Sequence, residues 1–338
     1  MDQITSLTHP VLHARRHLLK SAIVLPFAAH LSSSFAQIAA YPARAVKFII
    51  PFPAGGATDY AARTIGNALA ETWRQSVIAE NRAGAGSTIG TELGAKSAPD
   101  GYTLVMGIPA GITIAPHIYP KLGYDPLTDL LPVAGFATSP LVVVVPSDSP
   151  FTTFAELVAY ARANPGKLSY ASNGSGSLPH LTTEWFLSLA KLSMTHVPYR
   201  GSAQALPDLI AGRTQVMIDI IVSSLPLIEG GKLRALAVTG MQPTTRLPGI
   251  PTIASLGYPG FASDQWYGLF VPKGTPESVV RKIEADVQVV TSDTRMRGQM
   301  WQRGAEVAYL PAKVFETMLR TDSRRWAVIA KATGARAE

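Results

Sequence analysis

The stretch Pro51-Phe52-Pro53-Ala54-Gly55-Gly56-Ala57-Thr58-Asp59 follows a strand-like run, Ala45-Val46-Lys47-Phe48-Ile49-Ile50. It precedes apolar residues at helical spacing, Ala61, Ala62, Ile65 and Leu69. The segment reads as strand, glycine turn, helix. Gly55 and Gly56 let the backbone approach a ligand closely. The first turn of a helix adds unpaired N–H groups and a partial positive charge. Such a turn holds a carboxylate or phosphate without a lysine or arginine. Asp59 falls in that first turn, where a carboxylate caps the helix and complements its dipole. Direct contact between Asp59 and an anionic ligand would need a cationic or water-bridged partner.

Outward from this turn, strand-like and helix-like patterns alternate, which predicts an α/β protein with mainly parallel strands. Strands are expected at Ser76–Glu80, Thr103–Gly107, Leu168–Ala171, Thr195–Tyr199 and Gln215–Asp219, with a short helix over Gly90–Ser97. Two further segments share one layout. Val142–Pro150 leads into a helix with a capping box, Thr153 and Glu156. Leu269–Pro276 leads into a helix with Thr275 as expected N-cap and Pro276 at the first helical position. Placed at two crossings between domains, these segments predict a discontinuous domain 1, residues 41–141 plus 265–338, and an inserted domain 2, residues 142–264. A two-strand hinge there would allow clamshell closure.

The N-terminus reads as a targeting segment, residues 1–36. Arg15-Arg16-His17-Leu18-Leu19-Lys20 gives a basic start, Ser21–Ala29 a short apolar run, and Ser34-Phe35-Ala36 a cleavage site before Gln37. The paired arginines resemble a twin-arginine signal, with an ordinary secretory signal as the alternative. The apolar run is too short for a permanent span. The exported chain contains no cysteine, so disulfides and thiolate metal sites are excluded.

A composition of 47% hydrophobic and 16% charged residues indicates a large packed core. The net charge of +7 is spread along the sequence. No arginine-rich run or aromatic-basic interleaving points to nucleic acid. Beyond the leader only His117, His180 and His196 remain, at spacings that match no zinc motif, so no metal or cofactor is expected.

Ligands of open α/β sheets sit beyond the carboxyl ends of strands. That directs attention to Phe52–Asp59, Gly107–Thr113, Ser172–His180, Tyr199–Gln204 and Asp219–Ser223. The loop Ser172-Asn173-Gly174-Ser175-Gly176-Ser177 can offer several N–H and hydroxyl groups to an anion. It is not a nucleophile elbow, and His180 lacks an acidic partner at a recognisable spacing. Gly84, Gly86 and Gly90 sit one residue wide of a dinucleotide fingerprint, without the acidic residue that should follow. They read as a glycine-rich loop opening a helix. Trp266, Tyr267, Leu269 and Phe270 read mainly as core.

Several blocks, in order, resemble the substrate-binding proteins of tripartite tricarboxylate transporters, the Bug family. They are Tyr41-Pro42, Pro51-Phe52 with Gly55-Gly56 and Thr58-Asp59, and Glu80-Asn81-Arg82 with Gly84-Ala85-Gly86. Ala98–Leu104, Tyr124-Asp125-Pro126 and Pro165–Leu168 follow, then His196–Tyr199 with Gly201-Ser202, and Gly231–Val238. The resemblance spans nearly all of the exported chain. It implies a two-domain periplasmic binding protein of the type II-like clamshell kind, which is monomeric and not an enzyme. Such a protein closes on a small organic carboxylate and hands it to a membrane permease. It also implies that backbone N–H groups and waters hold the ligand. Carried onto this sequence, the expected ligand-binding residues are Phe52, Ala54, Gly55, Gly56, Ala57, Thr58 and Asp59 on one side. Ala110 and Gly111 come from the third strand's turn, and Ser172, Asn173, Ser177, His180, Tyr199, Gly201, Ser202 and Asp219 from the other side.

Two departures bear on the ligand. Positions that are often polar in the family are Gly111, Ile112 and Ala115 here, and Ile220 follows Asp219. An unpaired polar group on a ligand costs about 1–3 kcal/mol. A weakly polar or aromatic acid is therefore expected over citrate or an amino acid. A sensory partner of a membrane receptor would use the same clamshell, and an α/β enzyme would need a catalytic set that cannot be assembled from this sequence.

Overall fold

The computed structural model describes residues 41–337, so the expected targeting segment lies outside the described residues. The chain opens with β1 (Val46–Ile50), α1 (Ala57–Trp73), β2 (Val77–Asn81), α2 (Thr88–Ala95), β3 (Thr103–Gly107) and α3 (Ala115–Ile118). The long strand β4 (Leu130–Pro146) leads into α4 (Phe154–Ala163), β5 (Ser169–Ser172), α5 (Leu178–Ala190) and β6 (Thr195–Pro198). Next come α6 (Ser202–Ile210), β7 (Val216–Ile220), α7 (Ile221–Glu229) and β8 (Leu233–Val238). The chain ends with β9 (Asp264–Pro272), α8 (Glu277–Thr291), α9 (Thr294–Gln302), β10 (Glu306–Pro311) and α10 (Ala312–Thr333).

The strands form one curled sheet in the order β2-β1-β3-β9-β4-β7-β5-β6, with β8 and β10 also pairing to β4. The parallel strands expected from sequence are the outer ones: β1 with β2 and β3, and β5 with β6 and β7. The middle of the sheet is antiparallel, because β4 and β9 enter against their neighbours. β4 pairs with β9 from Leu130 to Pro140, then with β7 and β8 from Leu141 to Pro146. One strand thus belongs to both halves of the sheet. The chain returns to the first half through residues 239–263.

Helices cover both faces, so the strands are apolar runs rather than alternating ones. Phe48, Ile49 and Ile50 of β1 are fully buried. α1 buries Ala61, Ala62, Ile65, Leu69 and Trp73 at helical spacing, and Trp73 Nε1 donates to Asp286 Oδ2 of α8 at 2.6 Å. At α4 both bonds of the capping box form: Thr153 Oγ1 accepts from the Glu156 N–H, and the Glu156 carboxylate accepts from the Thr153 N–H. Thr275 behaves otherwise than expected. Its hydroxyl donates to Pro272 O at 2.7 Å, closing the turn behind it, and Pro276 occupies the N-cap of α8.

Candidate functional site

Three helices begin at one place. α1 starts after Gly56, α6 after Gly201 and α7 after Ile220, and none of these N-cap residues supplies a side-chain hydrogen bond. Gly56, Ala57 and Thr58, Gly201, Ser202 and Ala203, and Ile220 line one narrow chamber, together with Phe52, Pro53, Ala54 and Asn173. First-turn N–H groups have no intrahelical acceptor; α1 and α6 bring such residues and their dipoles to the chamber, and α7 reaches it through its N-cap Ile220. The chamber is therefore built to receive a negatively charged oxygen. α1 belongs to the first half of the sheet, whereas α6 and α7 belong to the second.

The chamber adjoins a larger cavity of ≈ 530 Å³; Phe52, Pro53, Asn173 and Gly201 line both. The rest of the larger cavity's wall comes from Ala83–Ser87, Tyr119, Gly174, Ser175, Tyr199 and Arg200, with Pro51. Two loops meet at its edge. A Cβ added to Gly86 would lie 2.9 Å from the Ser175 carbonyl oxygen and 2.9 Å from the Tyr119 hydroxyl. Gly86 also has φ 58°, so both its conformation and its closeness exclude a larger residue.

Behind the lining residues stand groups that hold the loops. The Asp59 carboxylate accepts from the Gly55 N–H at 3.0 Å, from Arg63 Nε at 2.9 Å and from Asn81 Nδ2 at 2.9 Å. Burial alone would raise its pKa, but the bonds from Arg63, Gly55 and Asn81 outweigh that and hold it below the usual carboxylate range. Gly55 has φ 83°, a turn geometry that Asp59 locks. Asp59 is thus a cap for the turn.

On the other side, Asp219 is fully buried and accepts from Ser202 Oγ at 2.7 Å, Ser224 Oγ at 2.6 Å and Asn173 Nδ2 at 3.3 Å. Burial pushes its pKa up, partly offset by the hydroxyls of Ser224 and Ser202. One carboxylate therefore ties together the start of α6, the first turn of α7 and the loop after β5.

Ser172, Ser177 and His180 also stand behind the wall. Ser177 caps α5, accepting from the His180 N–H at 3.4 Å. The His180 ring stacks on His196 at 4.2 Å, and His196 stacks on Tyr170 at 4.8 Å. Ser172 Oγ and His196 Nε2 are 2.6 Å apart, and the Gly176 N–H donates to His180 Nδ1 at 3.2 Å. Burial lowers the pKa of both imidazoles to about 4; at His196 the neighbouring His180 adds to this and Glu184 opposes it.

Of the residues singled out from sequence, Phe52, Ala54, Gly56, Ala57, Thr58, Asn173, Gly201 and Ser202 meet at the chamber, and Tyr199 lines the larger cavity. Gly55 and Asp59 face a different recess on the far side of the turn. Ala110 and Gly111 lie in a buried widened turn, Ala110–Ile114, that lines neither space. Ser172, Ser177, His180 and Asp219 line neither space, for the reasons above. Polarity at Gly111, Ile112 and Ala115 accordingly bears on packing, and only Ile220 among the apolar departures faces the chamber. Ser175 and Arg200 fall within the stretches Ser172–His180 and Tyr199–Gln204 singled out from sequence, whereas Ala83–Ser87 and Tyr119 were not anticipated as cavity wall. The position of Ala83–Ser87 just past the carboxyl end of β2 was the signal that could have found that loop.

Residues 61–335 match the family model described as tripartite tricarboxylate transporter family receptor. A protein of Pseudomonas sp. (strain P51), described as the UPF0065 protein in the tcbD-tcbE intergenic region, is 39% identical over 297 residues, 87% of this chain and 88% of that protein. The structure of R. palustris Rpa4515 with adipate superposes with a TM-score of 0.84 at 36% identity, covering 88% of this chain and 99% of that one. The periplasmic binding protein BugD gives a TM-score of 0.83 at 33% identity, covering 88% and 99%. With its α/β clamshell fold and a family match along most of its length, the chain belongs to the tripartite tricarboxylate transporter receptor family.

Proposed function

We propose that the chain captures a small organic carboxylate between the two halves of its sheet and presents it to the membrane permease of a tripartite transporter. The observation that carries this reading is the meeting of three uncapped helix starts, α1, α6 and α7, at one chamber. A ligand carboxylate accepts the free N–H groups there, and the remainder of the ligand occupies the ≈ 530 Å³ cavity. The relative solved with adipate supports the ligand class.

An aromatic or otherwise weakly polar acid suits the wall of Pro51, Phe52, Pro53, Ala83 and Ala85, with Ile220 offering no hydrogen bond in the chamber. The polar groups at the cavity are backbone N–H groups, Asn173, Ser87, Ser175, two tyrosines and Arg200, while His180 and His196 stand outside it. This favours binding without turnover. The working unit is a periplasmic monomer, cleaved near Ala36. Its domains are residues 41–141 plus 265–338 and residues 142–264, which close by bending where β4 and β9 run together.

The test is a thermal-shift screen of the chain from Gln37 onward against mono-, di- and tricarboxylates. A ligand at about 100 times its Kd adds about 2.7 kcal/mol of stability. A response to benzoate-type acids is expected. A preference for citrate or glutamate would overturn the ligand polarity. A flat screen, with no small molecule released on denaturation, would overturn the binding role.

A further inference from the structure

On the far side of the Gly55–Gly56 turn lies a second recess of ≈ 470 Å³, walled by α1, the first turn of α7 and the end of α9. Like the chamber, it draws its walls from both halves of the sheet. Its cationic groups are Arg63 and Arg303. Arg63 is engaged, with Nε on Asp59 and Nη2 on Asn81 Oδ1 at 2.9 Å. Arg303 differs: among the described residues its guanidinium has no hydrogen-bond or ion-pair partner. It stands over the Tyr60 ring, 5.1 Å from the centroid, and the Tyr60 hydroxyl is fixed on Gln299 O at 2.7 Å. Stacking on the ring leaves the N–H edge of a guanidinium available to a planar anion.

A second donor waits nearby. Ser223 lines the recess, and its Oγ is shielded from solvent and has no hydrogen-bond partner among the described residues. A shielded hydroxyl left unpaired is costly, which marks the position as one completed by another molecule. Ser223 also sits in the first turn of α7, whose N-cap Ile220 provides no side-chain acceptor. The charges at the recess are two guanidiniums against the single carboxylate of Asp59, itself bonded to Arg63.

We propose that this recess is a second anion site, separate from the ligand chamber, that receives a carboxylate between Arg303 and Ser223. Its walls come from both halves of the sheet, α7 from one and α1 and α9 from the other. The same carboxylate chemistry is available from a free acid and from an acidic segment of a protein partner.

The test isolates the recess by blocking the chamber with Ala203→Trp, at an exposed chamber residue. Sodium succinate and a hexaglutamate peptide are titrated calorimetrically into A203W, A203W/R303Q and A203W/S223A. A203W is expected to bind at least one probe. R303Q and S223A should each weaken that probe by about tenfold or more, about 1.4 kcal/mol. Weakening of the peptide alone assigns the site to a protein partner, and weakening of succinate assigns it to a free acid. Binding that R303Q leaves unchanged, or no binding of either probe to A203W, would overturn the site. Failure of the chamber reading would register separately, as a wild-type ligand response that A203W does not diminish.

Discussion

The carboxylate of Asp219 accepts the Ser202 hydroxyl at 2.7 Å from a position with no solvent exposure. The start of α6 is therefore fixed by a carboxyl group that lies behind the cleft wall. Asp219→Ala leaves Ser224 and the Asn173 amide without their acceptor and Ser202 with only Asn173 Oδ1 at 3.1 Å, at a cost of about 2–4 kcal/mol. A fall in Tm and weaker carboxylate binding are expected together. Asp219→Asn, which keeps one acceptor, should fall between wild type and alanine. An unchanged Tm in the alanine variant would refute this role.

Asp59→Ala removes the acceptor for the Gly55 N–H and one partner each of Arg63 and Asn81. A hydrogen bond to a charged group is worth about 1.5–3 kcal/mol. Chemical denaturation should show at least that loss, and calorimetry a raised Kd, since the turn that presents Ala57 and Thr58 is no longer locked. Full retention of affinity would mean that the turn holds its shape without Asp59.

Gly86→Ala tests the approach of the two loops. The added methyl would meet the Ser175 carbonyl oxygen at 2.9 Å, across the mouth of the cavity. Ligand affinity is expected to fall by about tenfold, about 1.4 kcal/mol. Gly166→Ala serves as a strained-glycine control away from the cleft, because its Cβ would meet nothing within 4 Å. Equal losses of affinity in the two variants would argue against a loop contact specific to Gly86.

Acid should destabilise the protein through the stacked histidines. His180 and His196 have folded pKa values lowered to about 4 from an ordinary 6.5. The unfolded chain takes up protons first, so the contribution is complete above about pH 6.5 and is lost as pH falls towards about 4. Tm measured at steps across that window should decline, and His180→Phe/His196→Phe should flatten the decline. An identical slope in the double variant would place the acid sensitivity elsewhere.

Much of this arrangement is local and could be read from sequence. The run Val46–Ile50, the pair Gly55-Gly56 and the spacing of Ala61, Ile65 and Leu69 define strand, turn and helix within a few residues of one another. The Thr153–Glu156 box is equally local. What escaped depends on distant partners. Gly84 and Gly86 were visible as a glycine loop, but their place in the cavity wall depends on Tyr119 and Ser175 arriving beside them. Asp219 ends a strand where ligands are sought, yet its side chain turns inward because Ser202 and Ser224 both offer it hydroxyls. Thr275 was expected as the N-cap, but the helix starts one residue later, at Glu277, so Pro276 takes that place and the Thr275 hydroxyl donates back to the Pro272 carbonyl.

The shared strand β4 has a bearing on how the chain can be divided. Cutting it near Pro140 would leave each fragment with a bare sheet edge, since β9 and β10 pair with its first part and β7 and β8 with its second. Neither fragment is then a self-sufficient folding unit, and the two expressed apart should aggregate where the intact chain melts in a single cooperative step. The same continuity would make the proposed closure an elastic bend of paired backbone, with a restoring force, in place of a free swing on a linker.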